Sequence, residues 1–166
     1  MRLWNGWGDE KDYSNVELSS SLKALLSGLL GSGKALPITT LEKVISKIPE
    51  SKMPHHKLIS TSKEERLRHT RGQSLSDWFS MHSGTIDCFT DGVAFPRSND
   101  EVKELLLFAS ENNINVIPYG GGTSVVGHIN PEQHDKLNLT ISMANMTRLL
   151  DLDPISLLAK FQPGAN

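Results

Sequence analysis

The residues with the most chemical content form one run, Pro118-Tyr119-Gly120-Gly121-Gly122-Thr123-Ser124-Val125-Val126-Gly127. Three successive glycines carry no side chains and tolerate positive φ. Their N–H groups can turn together into one concavity and meet an anion at close range. Thr123 and Ser124 add hydroxyl donors, and the apolar stretch Ile114–Ile117 ahead of them reads as a short buried strand. A strand, a glycine turn and two hydroxyls suit a diphosphate. No Lys follows the glycines, so this is not a P-loop, and the spacing is not G-x-G-x-x-G. The same residues also suit a surface turn that merely needs glycine.

The elements around this loop must place it. Gly92–Phe95 reads as a strand ending at Pro96. Ser98-Asn99-Asp100-Glu101 is a capping box, and a helix follows from Asn99 to Glu111, with Val102, Leu105, Leu106 and Ala109 on one face and Leu107 and Phe108 broadening it. Asn112-Asn113 ends the helix, and a strand over Asn115–Pro118 delivers the chain to the loop. Two strands joined by a helix form a βαβ unit, parallel and right-handed. A ligand belongs at the carboxyl end of such strands, where the loop lies. Beyond the turn at Gly127–Pro131, Lys136–Ser142 alternates as a strand, Met143–Leu150 reads as a turn with an apolar stripe, and Leu157–Phe161 as a further strand before Pro163-Gly164.

Upstream, helices dominate. Leu18, Leu22, Leu25, Leu26 and Leu29 have helical spacing, so Ser19–Leu30 reads as an amphipathic helix stopped at Gly31. Gly31-Ser32-Gly33-Lys34 follows a helix instead of opening one, which makes it a helix stop. Thr39 and Glu42 form a second capping box, ahead of a short helix ended by Pro49. Ser51–Ser60 reads as a solvated loop. Its adjacent His55 and His56 diverge and lack a third ligand, so no metal is expected. Thr61–Glu64 is a third box, with Glu65–His69 an exposed helical turn. Ser74 caps another helix, with Asp77 at its third position, running through Trp78 and Met81 to Gly84. Trp4 and Trp7 read as anchors for the N-terminal segment.

The chain has 166 residues, enough for one domain, with 37% hydrophobic and 22% charged residues. Its net charge of −2 gives no basic field for nucleic acid. The lone Cys88 excludes an internal disulfide, fits a reducing compartment and reads as a small buried hydrophobe. Neither a spanning helix nor an apolar signal core after Arg2 is visible, so a soluble, cytoplasmic protein is expected.

Five segments together, Trp4–Asp9 (WNGWGD), Arg71–Trp78 (RGQSLSDW), Asp91–Pro96 (DGVAFP), Pro118–Gly127 (PYGGGTSVVG) and Met146–Pro154 (MTRLLDLDP), carry a resemblance. The chain resembles the FAD-linked oxidases of the vanillyl-alcohol oxidase and p-cresol methylhydroxylase (PCMH) type. Within them it looks most like the alkyldihydroxyacetonephosphate synthases and their bacterial relatives. The resemblance implies an α+β fold: a mostly helical N-terminal segment, residues 1–87, then the first βαβ-containing lobe of a two-lobed PCMH-type FAD-binding domain, residues 88–166. It implies FAD as cofactor, held non-covalently by Pro118, Tyr119, Gly120, Gly121, Gly122, Thr123, Ser124 and Gly127. His128 stands where many relatives have Gly, and reads as tolerated. Ser142 stands where many carry Asp, which puts a ribose or adenine contact in doubt. Gln73 and Ser74 are candidates for contacts across the cofactor domain, or simply for capping.

The family pattern continues past Gln162-Pro163-Gly164-Ala165-Asn166 into a second half that holds the remaining flavin contacts, the substrate cap and the catalytic groups. No catalytic residue is therefore expected here, and the lipid or small-molecule substrate would be met by that second half. The implied reaction forms an ether bond, a fatty alcohol replacing the acyl chain of acyl-dihydroxyacetone phosphate, in a full-length enzyme that is a homodimer. The alternatives are an FAD-dependent 2-hydroxy-acid dehydrogenase or oxidase, of lactate or glycolate type, and a truncated, non-catalytic fragment.

Overall fold

The computed structural model describes residues 3–11, 18–34, 36 and 38–165. Arg2 and Asn166, on which the sequence-based readings of the two termini rest, lie outside them. The organising element is strand β4 (Asn138–Ser142). It is central in a four-stranded sheet with β1 (Ile59–Ser60), β2 (Gly92–Ala94) and β3 (Asn115–Tyr119), in the order β1-β2-β4-β3. β2 and β3 both run parallel to β4, whereas β1 is antiparallel to β2. The βαβ unit of β2, helix α5 (Asn99–Glu111) and β3 thus leaves a gap of one strand, which β4 fills.

The alternation in β4 does not mark one wet face, because all five residues are buried. Leu139 and Ile141 join Met53, Ala94, Leu105, Ala109 and Ile114 in the main apolar cluster beneath α5. Thr140, on the other face, donates to the Thr90 hydroxyl at 3.0 Å, and Thr90 Oγ1 lies 2.9 Å from the Asn138 carbonyl and 3.0 Å from that of Gly92. A buried polar group must be bonded, and these threonines satisfy one another. In α5 the Ser98 hydroxyl accepts from the Glu101 amide at 3.2 Å, and the Glu101 carboxylate accepts from the Arg97 amide at 2.6 Å. The buried face is narrower than expected: Leu105 and Ala109 are buried, but Leu106 and Leu107 remain 48% and 55% exposed.

The second face is covered by the N-terminal segment. Helix α2 (Leu41–Ile45) and helix α3 (Lys63–Arg68) bring Val44, Ile48 and Leu67 together, with Trp4, Leu41, Ile45, Ile86 and Phe89 packed around them. Trp4 is an anchor as expected, while Trp7 is exposed. Helix α4 (Leu75–Ser83) has the full Ser74/Asp77 capping box and a left-handed Gly84 at its end. Helix α1 (Ser20–Leu30) has Ser19 as N-cap and Gly31 at φ +80°, and none of its residues is buried.

Several expectations are corrected here. The N-cap of α2 is Thr40, accepting from the Lys43 amide, and not Thr39. Ser62 caps α3 without a side-chain bond, so Thr61–Glu64 is not a capping box. α3 is no exposed turn: Arg66 and Leu67 are buried, the arginine because carbonyls await it inside. His56 is not solvated, since its Nδ1 accepts from the Leu58 amide at 3.2 Å and its ring rests 4.7 Å from that of Phe108. The supposed loop 51–60 ends in β1, too short to leave a period-2 signal. The supposed turn 143–150 contains a 3-10 turn (Met143–Asn145) and the start of β5 (Leu149–Asp153), which pairs with β6 (Leu158–Phe161) in a separate antiparallel hairpin. Leu152, Ile155, Leu158 and Phe161 on that hairpin are exposed. No helix among the described residues is long and apolar enough to cross a membrane.

Candidate functional site

β3 ends at Tyr119, paired in register with Ser142 at the end of β4. The chain then turns through Gly120–Ser124 over the carboxyl edge of the parallel strands. Pro118, the run from Gly120 through Val126, His128 and Ile129 line an open cleft of ≈ 410 Å³. Gly122 is buried and has φ +66°, and Gly127 has φ +79°. In this left-handed region only glycine is at ease. Gly120 and Gly121 are glycines for a different reason. A Cβ at Gly120 would approach nothing nearer than the Pro163 carbonyl at 3.8 Å, and one at Gly121 only a Thr123 methyl at 3.6 Å. Internal packing leaves room for a side chain at both, so neither glycine is required by its neighbours in the fold.

Tyr119 differs from the other loop residues. Its ring is buried, its hydroxyl donates to the Arg68 carbonyl at 3.2 Å, and it packs 4.7 Å from the His69 ring. It fixes the strand end and does not line the cleft. Ser142 is also buried, and its hydroxyl finds no hydrogen-bond partner among the described residues. The Ser124 hydroxyl lies 3.0 Å from His128 Nδ1, so His128 closes the loop on itself.

Behind the cleft stands a segment that sequence reasoning saw only in part. The Gln73 amide donates to the Ser124 carbonyl at 2.6 Å, and the Gln73 side chain accepts from the Trp78 indole at 2.6 Å. The Gly72 amide donates to Asn130 Oδ1 at 3.2 Å, and Asn130 Nδ2 donates to Asp77 Oδ1 at 2.7 Å. A Cβ on Gly72 would fall 2.3 Å from the Ser124 carbonyl oxygen. Ser74 caps α4 as expected, while Gln73 reaches the loop. Asn130 and Asp77 were legible only as a turn residue and a helix cap.

A third segment lies beside the loop. Pro163-Gly164 passes the loop, with the Gly164 amide donating to the Met146 carbonyl at 2.9 Å. A Cβ on Gly164 would lie 1.8 Å from the Met143 carbonyl oxygen and 3.0 Å from that of Met146, both backbone atoms that cannot swing aside. Gly164→Ala is expected to lower stability by roughly 1–3 kcal/mol, the usual scale of forced overpacking, measured by chemical denaturation.

No group of three or more metal-ligating side chains occurs among the described residues. Cys88 is half-buried, and burial pushes its thiol pKa up against the pull of Arg71. A raised pKa disfavours the thiolate, the form that acts as nucleophile.

Comparison with known proteins places this geometry. Residues 90–166 match the model of the FAD binding domain family. The cofactor that this match and the relatives below indicate is FAD. The chain is 32% identical over 106 residues to the alkyldihydroxyacetonephosphate synthase of Dictyostelium discoideum, covering 64% of this chain and 17% of that protein. It is 28% identical over 192 residues to the enzyme of the same name from Trypanosoma brucei brucei, covering 97% of this chain and 31% of the other. A mitochondrial D-lactate dehydrogenase (cytochrome) of Arabidopsis thaliana is 30% identical over 123 residues, 70% of this chain and 20% of that one. A solved alkyldihydroxyacetonephosphate synthase superposes with a TM-score of 0.80 at 24% identity, over 99% of this chain and 36% of the other. The α+β fold expected from the sequence is the fold of that structure. The chain thus spans about a third or less of the length of these relatives.

The residues present fit FAD. Gly120–Ser124 line an open cleft at the carboxyl edge of parallel strands, and nothing in the chain packs into the space a side chain at Gly120 or Gly121 would take. When bound, FAD supplies hydride- and electron-transfer chemistry, while the protein supplies position and electrostatics.

Proposed function

We propose that Pro118–Ser124, with Gly127, holds the pyrophosphate of FAD in the first lobe, residues 88–166, of a two-lobed cofactor domain. The observation that carries this is the pair of glycines, Gly120 and Gly121, whose missing side chains open the backbone to the cleft and serve no internal packing. Gly122, at φ +66°, gives the loop a left-handed turn that suits glycine alone. Tyr119 contributes by fixing the strand end.

The enzyme class that fits is that of the alkyldihydroxyacetonephosphate synthases, in which a fatty alcohol replaces the acyl chain of acyl-dihydroxyacetone phosphate. The support is the likeness along 97% of the chain, including the N-terminal segment. A D-lactate or related 2-hydroxy-acid dehydrogenase is the second reading, favoured by relatives such as the plant enzyme. We assign no catalytic residue to these 166 residues. The acid, base and substrate contacts of either reaction belong, on this reading, to a partner half, and the chain alone turns over neither substrate.

The test of the cradle is FAD affinity. Thr123→Ala removes one hydroxyl contact to a charged group, roughly 1.5–3 kcal/mol. It is expected to weaken FAD about ten- to hundredfold with an unchanged circular dichroism spectrum. Lys47→Ala, far from the loop, should change neither. Equal affinities for all three proteins would remove the loop from the flavin site.

A further inference from the structure

We propose that Asp77 and Asn130 are positioning residues for the glycine loop, aiming its amides from behind. This rests on the reading of the loop as the pyrophosphate cradle. Gly120–Ser124 has no regular secondary structure to fix the direction of its N–H groups. That direction must be imposed by whatever holds the loop at its two ends. One end is Tyr119, tied into β3 and to the Arg68 carbonyl. The return half is held by the start of α4. The Gln73 amide takes the Ser124 carbonyl, and Asn130 takes the Gly127 carbonyl and the Gly72 amide beside Gln73.

Asn130 is set in one orientation only. Its Oδ1 accepts from the Gly72 amide at 3.2 Å, and its Nδ2 donates to Asp77 Oδ1 at 2.7 Å. Rotating the amide by half a turn would put nitrogen against N–H and oxygen against carboxylate, losing both bonds. Its own N–H donates to the Gly127 carbonyl at 2.9 Å, at the residue whose φ of +79° turns the chain back. Asp77 is equally committed. It is 3% exposed, and its second oxygen accepts from the Ser74 amide at 3.2 Å and the Ser74 hydroxyl at 2.6 Å. The carboxylate that completes the helix cap is therefore also the fixed point against which the loop is registered. A charge-assisted bond at this distance is among the stronger neutral–charged contacts available to a side chain.

The pair can be exchanged chemically. In Asp77→Asn the new amide can keep its oxygen on Ser74, but then presents N–H to the N–H of Asn130. In Asn130→Asp two carboxylates meet. In the double variant Asp77→Asn/Asn130→Asp, the amide introduced at position 77 donates to the carboxylate introduced at position 130. The other oxygen of that carboxylate accepts from Gly72, so complementarity returns. Amide hydrogen exchange and amide shifts on titration with FAD are read on the 166-residue chain, with Gly122→Val alongside. Each single variant is expected to speed exchange across residues 121–130 while β3 and β4 stay protected. Each should weaken FAD roughly ten- to hundredfold, the scale on which outer partners act on ligand-holding groups, and the double variant should restore both.

Unchanged loop exchange in the single variants, or a double variant no better than either, overturns the proposal. So does faster exchange spreading through β3 and β4, which is the signature of a pair that only stabilises the fold. So does a loosened loop with unchanged FAD affinity where Gly122→Val has abolished binding. If Gly122→Val leaves FAD binding as it was, the cradle reading itself fails. The exchange pattern and its rescue then decide alone whether the pair positions the loop.

Discussion

Gly122→Val is expected to abolish FAD binding and leave the sheet folded. Gly122 sits at φ +66°. A non-glycine residue in left-handed backbone costs roughly 1–2 kcal/mol, and a β-branched residue stands at the upper end. The loop can escape that cost only by re-forming with negative φ, which rotates the peptide groups on either side and turns their N–H groups away from the cleft. Two donors to a charged group then disappear together, each worth about 1.5–3 kcal/mol. The sum exceeds a hundredfold in affinity. The sheet is insulated from the change because β3 is anchored at Tyr119 and β4 is buried throughout. FAD titration with circular dichroism as the folding control measures it. An affinity like that of the unsubstituted chain would leave Gly122 as a turn glycine with no part in the cofactor site.

How much of this could be read from the sequence depends on how local each signal is. The span of α5 was legible from end to end because Ser98 caps its start and Asn112-Asn113 closes it within the same segment. The capping box of α4 was legible for the same reason. The capping boxes placed at Thr39 and Thr61 failed because the spacing S/T-x-x-E says nothing of the backbone angle that a true cap needs. β1 and β5 were missed. A two-residue edge strand has no periodicity, and Leu149-Leu150 reads equally well as the stripe of a turn.

The glycine loop was legible as a cradle, but its support was not. Asn130 and Asp77 are 53 positions apart, and Gly72 and Asn130 are 58 apart. Each has an adequate local explanation, as a turn residue, a helix cap and a pre-helix glycine. Only the folded chain reveals that the three meet. The same holds for β4, whose polar positions looked like a solvent face. Thr140 is buried there because Thr90, from another strand's approach, supplies its partner.

Arg66 is the largest case of such a hidden role, and its removal carries the largest expected loss of stability. It lies in a charged run, Lys63–Arg68, that reads as a solvated helix, yet it is 1% exposed. Its Nε donates to the Thr90 carbonyl at 2.7 Å and its Nη1 to the Pro49 carbonyl at 2.8 Å. These two bonds join α3 to the end of α2's following turn and to the lead-in of β2. Burial lowers the guanidinium pKa, and the charges of Asp91 and Glu50 hold it up. Arginine remains charged at neutral pH in any case. Arg66→Ala leaves the buried Thr90 carbonyl without a donor, at about 1–3 kcal/mol, loses the part-buried bond to Pro49, and adds an unfilled space. A loss of roughly 4 kcal/mol is expected, against a total of about 5–15 for a domain. At about 2–4 °C per kcal/mol, Tm should fall by roughly 10 °C. Arg66→Lys keeps the charge but cannot reach both carbonyls from one fork, so it should recover only part of the loss. Arg66→Met separates the two contributions, since it fills the space and removes the buried charge while leaving the buried Thr90 carbonyl unbonded. A Met variant as stable as the unsubstituted chain would mean that desolvating the charge cancels its hydrogen bonds, and that Arg66 does not hold the N-terminal segment to the sheet.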